Sequence, residues 1–394
     1  MKFAHFADCH IGGWREPKMR DLNYSSFSKA IDEILNEKVD FLLISGDLFN
    51  TSFPAIDALK LVVSKFKLLK ENNIPIYYIA GSHDFSPSGK TMLDVIEEAG
   101  LAIDVMRGNV VEGKLKLKFS IDPKTNTKIT GIIGKRGMLD KKYYEVLERD
   151  NLENEEGFKI FMFHTTLTEL KPKAMEKSES TEISFLPKNF NYYAGGHVHI
   201  VKSTNIEDYK NVVYPGPIFP NNFSELEELN QGTYAIYDNG NIEIKRINII
   251  EHKAININFK EKNPLEINEL IKENMNDVKN KLITLRLSGK IVNGRISDID
   301  FKNLFNYAYE QGAYFIMRNT NGIILDNMVE IKTNISSVEN IEEKIIHEHL
   351  NENQKDLALA LIKNLNTEKD EGEKNNDFED RIINEIKLLI NKKE

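Results

Sequence analysis

Up to about residue 240, short apolar runs alternate with longer stretches whose apolar positions recur every three to four residues. The runs "KFAHFA", "VDFLLIS", "IPIYYIA", "KITGIIG", "FKIFMFH", "FNYYAGG" and "NVVYPG" read as buried strands. Between them, "SSFSKAIDEILNEK" and "PAIDALKLVVSKFKLLKENN" have helical spacing, the second opened by Pro54. The alternation predicts a layered α/β domain over residues 1–245. Over residues 246–335 the order becomes strand, helix, strand, helix, strand ("KAININF", "PLEINELIKENMNDVKN", "KLITLRLSGKI", "DIDFKNLFNYAYE", "GAYFIMRN"), which predicts a small appended α/β module.

Residues 336–394 are helical in pattern. "SVENIEEKIIHEHLNENQKDLALALIKNL" precedes "NTEKDEGEKNND", which has the composition of a flexible tether. The last segment, "FEDRIINEIKLLINKK", places Phe378, Ile382, Ile386 and Leu389 on one helical stripe, with Ile383 and Ile390 beside it. A tethered amphipathic helix has little core of its own to join. A partner's groove and a fold back onto this chain are both open. In "AIDALKLVVSKFKLLK", Leu59, Val62, Val63, Phe66 and Leu69 form one face and Leu61 and Leu68 lie elsewhere. That width exceeds one sheet contact, so a second copy or a loop must cover the rest.

A chain of 394 residues fits two or three domains with a sizeable core. No stretch approaches the roughly 18 to 20 apolar residues of a membrane helix, and "MKFAHFADCH" reads as a strand rather than a signal peptide. The expectation is a cytoplasmic protein with no membrane contact. The single cysteine, Cys9, excludes a disulfide framework and any thiolate zinc site, and is expected to be a small buried filler. The net charge of −9 argues against non-specific coating of nucleic acid, although much of the acidic excess lies in the final segment.

The chemistry gathers at strand ends. "KFAHFADCH" delivers Asp8 and His10, "FLLISGD" Asp47, "IYYIAGSHD" Ser82, His83 and Asp84, "KIFMFH" His164, and "YYAGGHVH" His197 and His199. All five clusters stand at carboxyl ends of apolar runs, the edge at which open α/β sheets build sites. Five of the nine histidines fall in this set; the others are His5, His252, His347 and His349. Each cluster alone has an ordinary explanation as a turn or a helix cap. Their joint order does not. Alternate residues of an extended strand share a face, so Asp8 with His10, and His197 with His199, reach one centre. Carboxylates and imidazoles without sulfur suit manganese, iron or zinc, and seven ligands suit two ions roughly 3.5–4 Å apart with Asp47 as the shared carboxylate.

This series resembles the signature of the calcineurin-like metallophosphoesterases, D-x-H, GD, GN-H-[DE], H and GH-x-H. Within that superfamily "FADCHIG" and "SGDLFNTSFPA" are similar to motifs of the meiotic-recombination-eleven nucleases, the DNA double-strand-break repair family that includes SbcD. The resemblance implies a layered β-sandwich nuclease domain flanked by helices, a small α/β capping domain that binds DNA, and a helical C-terminal region that binds a partner. It implies two Mn2+ per subunit, with Fe2+ or Zn2+ as alternatives: Asp8, His10, Asp47 and His199 at one ion, and Asp47, His164 and His197 at the other, joined there by Ser82 either directly or through a water. His83 would face the phosphate and protonate the leaving oxygen, and Asp84 would orient His83 or cap the following turn.

The family has asparagine where this chain has Ser82, whose shorter arm predicts looser binding of the second ion. The implied activity is 3′-to-5′ exonuclease on duplex DNA and endonuclease on single strands or hairpins. Its bearer would be a homodimer joined to a Rad-fifty-type coiled-coil ABC ATPase through the C-terminal helix. Lys135, Arg136, Arg286, Lys290 and Arg295 are candidate DNA contacts, and Trp14 either stacks on a base or packs. A phosphodiesterase of small substrates such as cyclic nucleotides, and a catalytically weakened DNA-end-binding scaffold, are the competing readings.

Overall fold

All seven apolar runs of the first segment form strands, because their side chains find cover on both faces. In the computed structural model residues 1–86, 89–325, 346, 350, 352–365, 367 and 375–391 are described. In chain order the strands are β1 (Lys2–Phe6), β2 (Phe41–Ser45), β3 (Ile76–Ile79), β4 (Ile103–Asp104), β5 (Arg107–Val111), β6 (Lys114–Lys118), β7 (Ser120–Ile121), β8 (Lys128–Ile132), β9 (Lys159–His164), β10 (Tyr192–Gly196), β11 (Val201–Ile206), β12 (Tyr209–Pro215), β13 (Gly232–Asp238), β14 (Asn241–Ile247), β15 (Glu251–Lys262), β16 (Lys281–Ile291) and β17 (Phe315–Leu325). One six-stranded sheet has the order β14-β13-β1-β2-β3-β4 and another β11-β12-β10-β9-β8-β7, while β5 and β6 form a separate hairpin. β1, β2 and β3 run parallel to one another, as do β8, β9 and β10.

The two large sheets face each other. Phe3, Phe41, Leu43, Tyr77 and Ile79 of the first pack with Ile129, Ile160, Met162, Tyr192 and Val213 of the second. On the outer face of the first sheet lie helices α1 (Pro17–Glu37) and α2 (Ile56–Glu71), which bury Phe27, Ile31, Ile34, Val62, Phe66 and Leu69. Leu59, Leu61 and Val63 pack against the same core, so most of the wide apolar surface of α2 is covered within the chain. What stays exposed are Phe53 and Ile56 at its start. The architecture is layered α/β, as the pattern predicts, and takes the form of the sandwich flanked by helices that the resemblance implies. Strands β4–β7, β11, β13 and β14 are not anticipated from the pattern.

A short helix, α3 (Phe223–Leu229), follows β12. Beyond β14, β15, β16 and β17 form a parallel three-stranded sheet with helices α4 (Pro264–Asn274) and α5 (Phe301–Glu310) in its connections. Its core is its own and includes Ile257, Phe259, Ile271, Leu285, Leu287 and Leu304. A smaller cluster joins Met19 of α1, Phe219, Leu226 of α3 and Leu282 of β16, with Trp14, Phe315 and Met317 packed against it.

By contact density the chain divides into Met1–Asp326 and Asn327–Glu394. In the second unit α6 (Glu352–Leu365) and α7 (Asn375–Asn391) pack against each other. Ile382 is buried and Phe378 and Ile386 are half-buried, whereas Ile383 is exposed, so much of the predicted stripe is covered within its own chain. The side chains of Leu389 and Ile390, and residues 326–345, 347–349 and 368–374, lie outside the described residues. Asn375, Asn376 and Asp377, read above as tether, belong to α7. Such short polar residues suit a helix start as well as they suit a loop.

Candidate metal centre

The ends of five parallel strands converge from both sheets. Asp8 and His10 follow β1, Asp47 follows β2, Ser82 and His83 follow β3, His164 ends β9, and His197 and His199 follow β10. Asp8, His10, Asp47, His197 and His199 all have positive φ, between 42° and 96°, which non-glycine residues adopt at a cost and mostly at functional sites. Gly46, at φ +85°, lets the chain pass beneath His164: a Cβ there would meet the imidazole Nδ1 at 2.2 Å.

Ligand atoms of Asp8, His10 and His199 lie within 4.8 Å of one another, and so do those of Asp47, His164 and His197. A third such group, His10, Asp47 and His83, overlaps both. The ring of His83 stands 4.8 Å from that of His10. Ser82 is buried and its Oγ donates to Asp47 Oδ2 at 3.4 Å, so the serine reaches the Asp47 carboxylate.

Hydrogen bonds behind the rings fix where the lone pairs point. Carbonyl oxygens only accept, so His164 carries its proton on Nδ1, which donates to the Ser45 carbonyl at 2.8 Å. Its Nε2, 3.2 Å from Asp47 Oδ2, is then the atom left to take either a proton or a cation. His199 likewise donates from Nδ1 to Glu225 Oε1 at 2.9 Å and turns Nε2 towards His10 Nε2, at 3.0 Å, and Asp8 Oδ1, at 3.8 Å. Two nitrogens each about 2.1 Å from one cation, at right angles, would stand about 3.0 Å apart. Electron-rich atoms crowded so closely need a cation or a proton among them. The donor set, with oxygen and nitrogen atoms and no sulfur, fits a pair of divalent cations. Cys9 is fully buried, with its thiol pushed up by burial, and serves as filler.

Titration follows the same charges. Burial opposes a charge on His164 and His199, but Asp47 outweighs it at His164 and Asp8 with Glu225 at His199, raising them to about 10 and about 9. Burial lowers His10 to about 3 and His197 to about 4, leaving neutral imidazoles. Asp47 is buried, yet His164 and His10 hold it well below the ordinary carboxylate range.

Asp84 does something other than what its position suggests. Its carboxylate turns away from His83 and accepts the backbone N–H groups of Leu48, Phe49 and Gly81 at 3.1, 2.9 and 3.1 Å, tying the Asp47 loop to the His83 loop. His83 is oriented instead by the Asn50 carbonyl, which accepts from its Nδ1 at 2.9 Å.

A cleft of about 440 Å³ runs along the centre, lined by Ser82, His83, Lys135, Arg136, His164 and His197 among others. Of the five candidate DNA contacts it takes in two. Lys135 lies over the rings of Phe85 and Tyr143 and donates to the Tyr143 hydroxyl at 2.6 Å. Arg136 donates to the Ser82 carbonyl. Arg286 is engaged elsewhere, holding Glu227 through Nε at 2.9 Å and Nη2 at 2.5 Å, and Lys290 pairs with Glu261, so neither is a free cation. Arg295 is exposed and does not line the cleft. Trp14 packs, with its Nε1 donating to the Pro220 carbonyl. The residues missed from sequence are Ser45 and Asn50, which act through carbonyls, and Glu225, visible only as the fourth letter of the helix-start pattern "NFSE".

Among the described residues no helix is long and apolar enough to cross a membrane. The chain is 28% identical over 365 residues to the DNA double-strand break repair protein Mre11 of Methanococcus maripaludis, covering 88% of this chain and 90% of that one. It is 29% identical to the Mre11 of Methanocaldococcus jannaschii, covering 93% and 94% of the two chains, and 25% identical to that of Sulfolobus acidocaldarius, covering 92% and 98%. Residues 1–201, which include every candidate ligand, match the sequence profile described as calcineurin-like phosphoesterase. With these candidate ligands at the carboxyl ends of strands in two facing sheets, this chain belongs to the calcineurin-like phosphoesterase family.

Proposed function

We propose that this protein is a DNA nuclease of double-strand-break repair, hydrolysing phosphodiesters with two divalent cations, Mn2+ in preference. The observation that carries the reading is the convergence of ligand atoms from Asp8, His10, Asp47, His164, His197 and His199 into overlapping groups within 4.8 Å. Asp8, His10, Asp47 and His199 would hold one cation, and Asp47, Ser82, His164 and His197 the other. The bound pair would supply an activated water and charge neutralisation at the phosphate. His83 acts from the chain itself. With Nδ1–H held by the Asn50 carbonyl, its Nε2 is the nitrogen that takes up and releases a proton, as a general acid to the leaving oxygen requires.

Similarity to archaeal Mre11 proteins over most of their length supports 3′-to-5′ exonuclease action on duplex ends and endonuclease action on single strands and hairpins. It supports a homodimer and a Rad-fifty-type ATPase as partners, the latter engaged by the region from 336 onwards. We assign residues 1–245 to catalysis and 246–335 to a cap over the DNA, with Lys135 and Arg136 the nearest phosphate contacts. Degradation of linear duplex DNA by the purified protein with Mn2+, absent with EDTA and reduced about 10²- to 10⁴-fold in His83→Gln, would bear this out. Turnover of a cyclic nucleotide with duplex DNA untouched would refute it.

A further inference from the structure

Helix α3 touches the candidate metal centre with one residue and the three-stranded sheet with three others. Glu225 projects to His199, taking its Nδ1–H at Oε1 while Oε2 accepts the Asn221 N–H at 2.8 Å. The Asn222 side chain accepts the backbone N–H of Glu225 at 3.0 Å and donates from Nδ2 to Oε1 at 2.5 Å, so this carboxylate is held by three donors. On either side of it in sequence, Glu227 is gripped by the guanidinium of Arg286, and the same guanidinium lies 5.1 Å from the ring centre of Phe223. Arg286 belongs to β16, the central strand of the three-stranded sheet. Leu226 completes the contact by packing beside Leu282 of that strand.

Histidines that bind metal through one nitrogen are set by what the other nitrogen meets, and loss of that outer partner weakens metal binding about 10- to 100-fold. Here the outer partner is mounted on a seven-residue helix. A planar guanidinium held by two contacts to a carboxylate and by an aromatic face has a defined orientation, so a shift of β16 carries α3 with it. We propose that Glu225 is a positioning residue for His199 and that the Arg286–Glu227 contact makes metal affinity at His199 depend on where the three-stranded sheet sits. This rests on the two-cation reading above. It gives Arg286 a role other than touching DNA.

The test measures Mn2+ binding to the full-length protein by calorimetry, with thermal melting of the metal-free protein as a control for folding. Glu225→Ala should weaken the tighter or the weaker of the two sites about 10- to 100-fold, and Glu225→Gln, which keeps an accepting oxygen, should weaken it less. Arg286→Ala should weaken the same site severalfold. The double variant Glu225→Ala with Arg286→Ala should bind no worse than Glu225→Ala alone, because the second change acts only through the first. Additive losses, or Arg286→Ala with wild-type affinity, would overturn the coupling. Unchanged affinity in Glu225→Ala would overturn the proposal while leaving the metal centre standing. A wild-type protein that binds no Mn2+ would remove both.

Discussion

Replacing Asp84 by alanine is the sharpest test of how the centre is held together, since this residue touches no expected ligand side chain and acts on two loops. Its carboxylate is 1% exposed and accepts three backbone N–H groups. Each buried N–H left without a partner costs about 1–3 kcal/mol, which sets an upper range of roughly 3–9 kcal/mol. Removing a carboxylate buried close to Asp47, whose burial and neighbour raise Asp84 to about 7, returns part of that. A net loss of about 3–5 kcal/mol is expected.

Asp84→Asn should fall between. The oxygen of the amide can serve Leu48 and Gly81, but its NH2 then faces the Phe49 N–H, donor against donor. Guanidinium titration of the metal-free protein measures this, read by fluorescence of Trp14, the only tryptophan and a residue of the first unit. With an unchanged slope the midpoints should order wild type above Asn above Ala. A midpoint for Asp84→Ala equal to wild type would show that the loops hold without the carboxylate, and the account of their joining would be wrong.

Other expectations are open to direct measurement. Ser82→Asn, which lengthens the arm beside Asp47, should tighten the weaker Mn2+ site in calorimetry; equal or looser binding counts against a deficit at that position. Asp104, half-buried, is raised by burial to about 6. Its folded form holds the proton more tightly than the unfolded chain, so its contribution to stability is complete below about pH 4 and is lost as pH rises through 6. Asp104→Asn should remove that fall, gaining about 1–3 kcal/mol over wild type at pH 8 after allowance for solvent screening, and parallel stability curves for the two proteins would exclude it. Deleting residues 365–394 should leave Mn2+-dependent DNA cleavage intact and abolish co-purification with the coiled-coil ATPase, an assignment that retained complex would end.

The centre was legible because its residues punctuate buried strands. A run such as "IYYIA" has a strong reason to be interior, so the polar residues after it must emerge at one edge. What could not be read is whatever depends on direction or on backbone atoms. Asp84 adjoins His83 in sequence, but its side chain turns towards Leu48 and Phe49, whereas the ring of His83 is held from Asn50. Arg286 looked free because its partner, Glu227, lies 59 residues earlier and on another element. Strand β13 pairs with β1 across more than 230 residues, and no local periodicity announces such a pairing. The C-terminal stripe was read correctly as amphipathic, yet a helical wheel cannot say that α6 would cover part of it.

The left-handed backbone at Asp8, His10, Asp47, His197 and His199 has a cost that reaches beyond chemistry. At about 1 kcal/mol or more for each, the five together consume an appreciable part of the margin by which a domain of this kind stays folded. Glycine at His10 or His197, whose side chains accept no backbone N–H, would relax the chain and, without metal, offset part of the lost packing even as catalysis vanished. Selection for an unstrained backbone and selection for activity therefore pull these two positions in opposite directions.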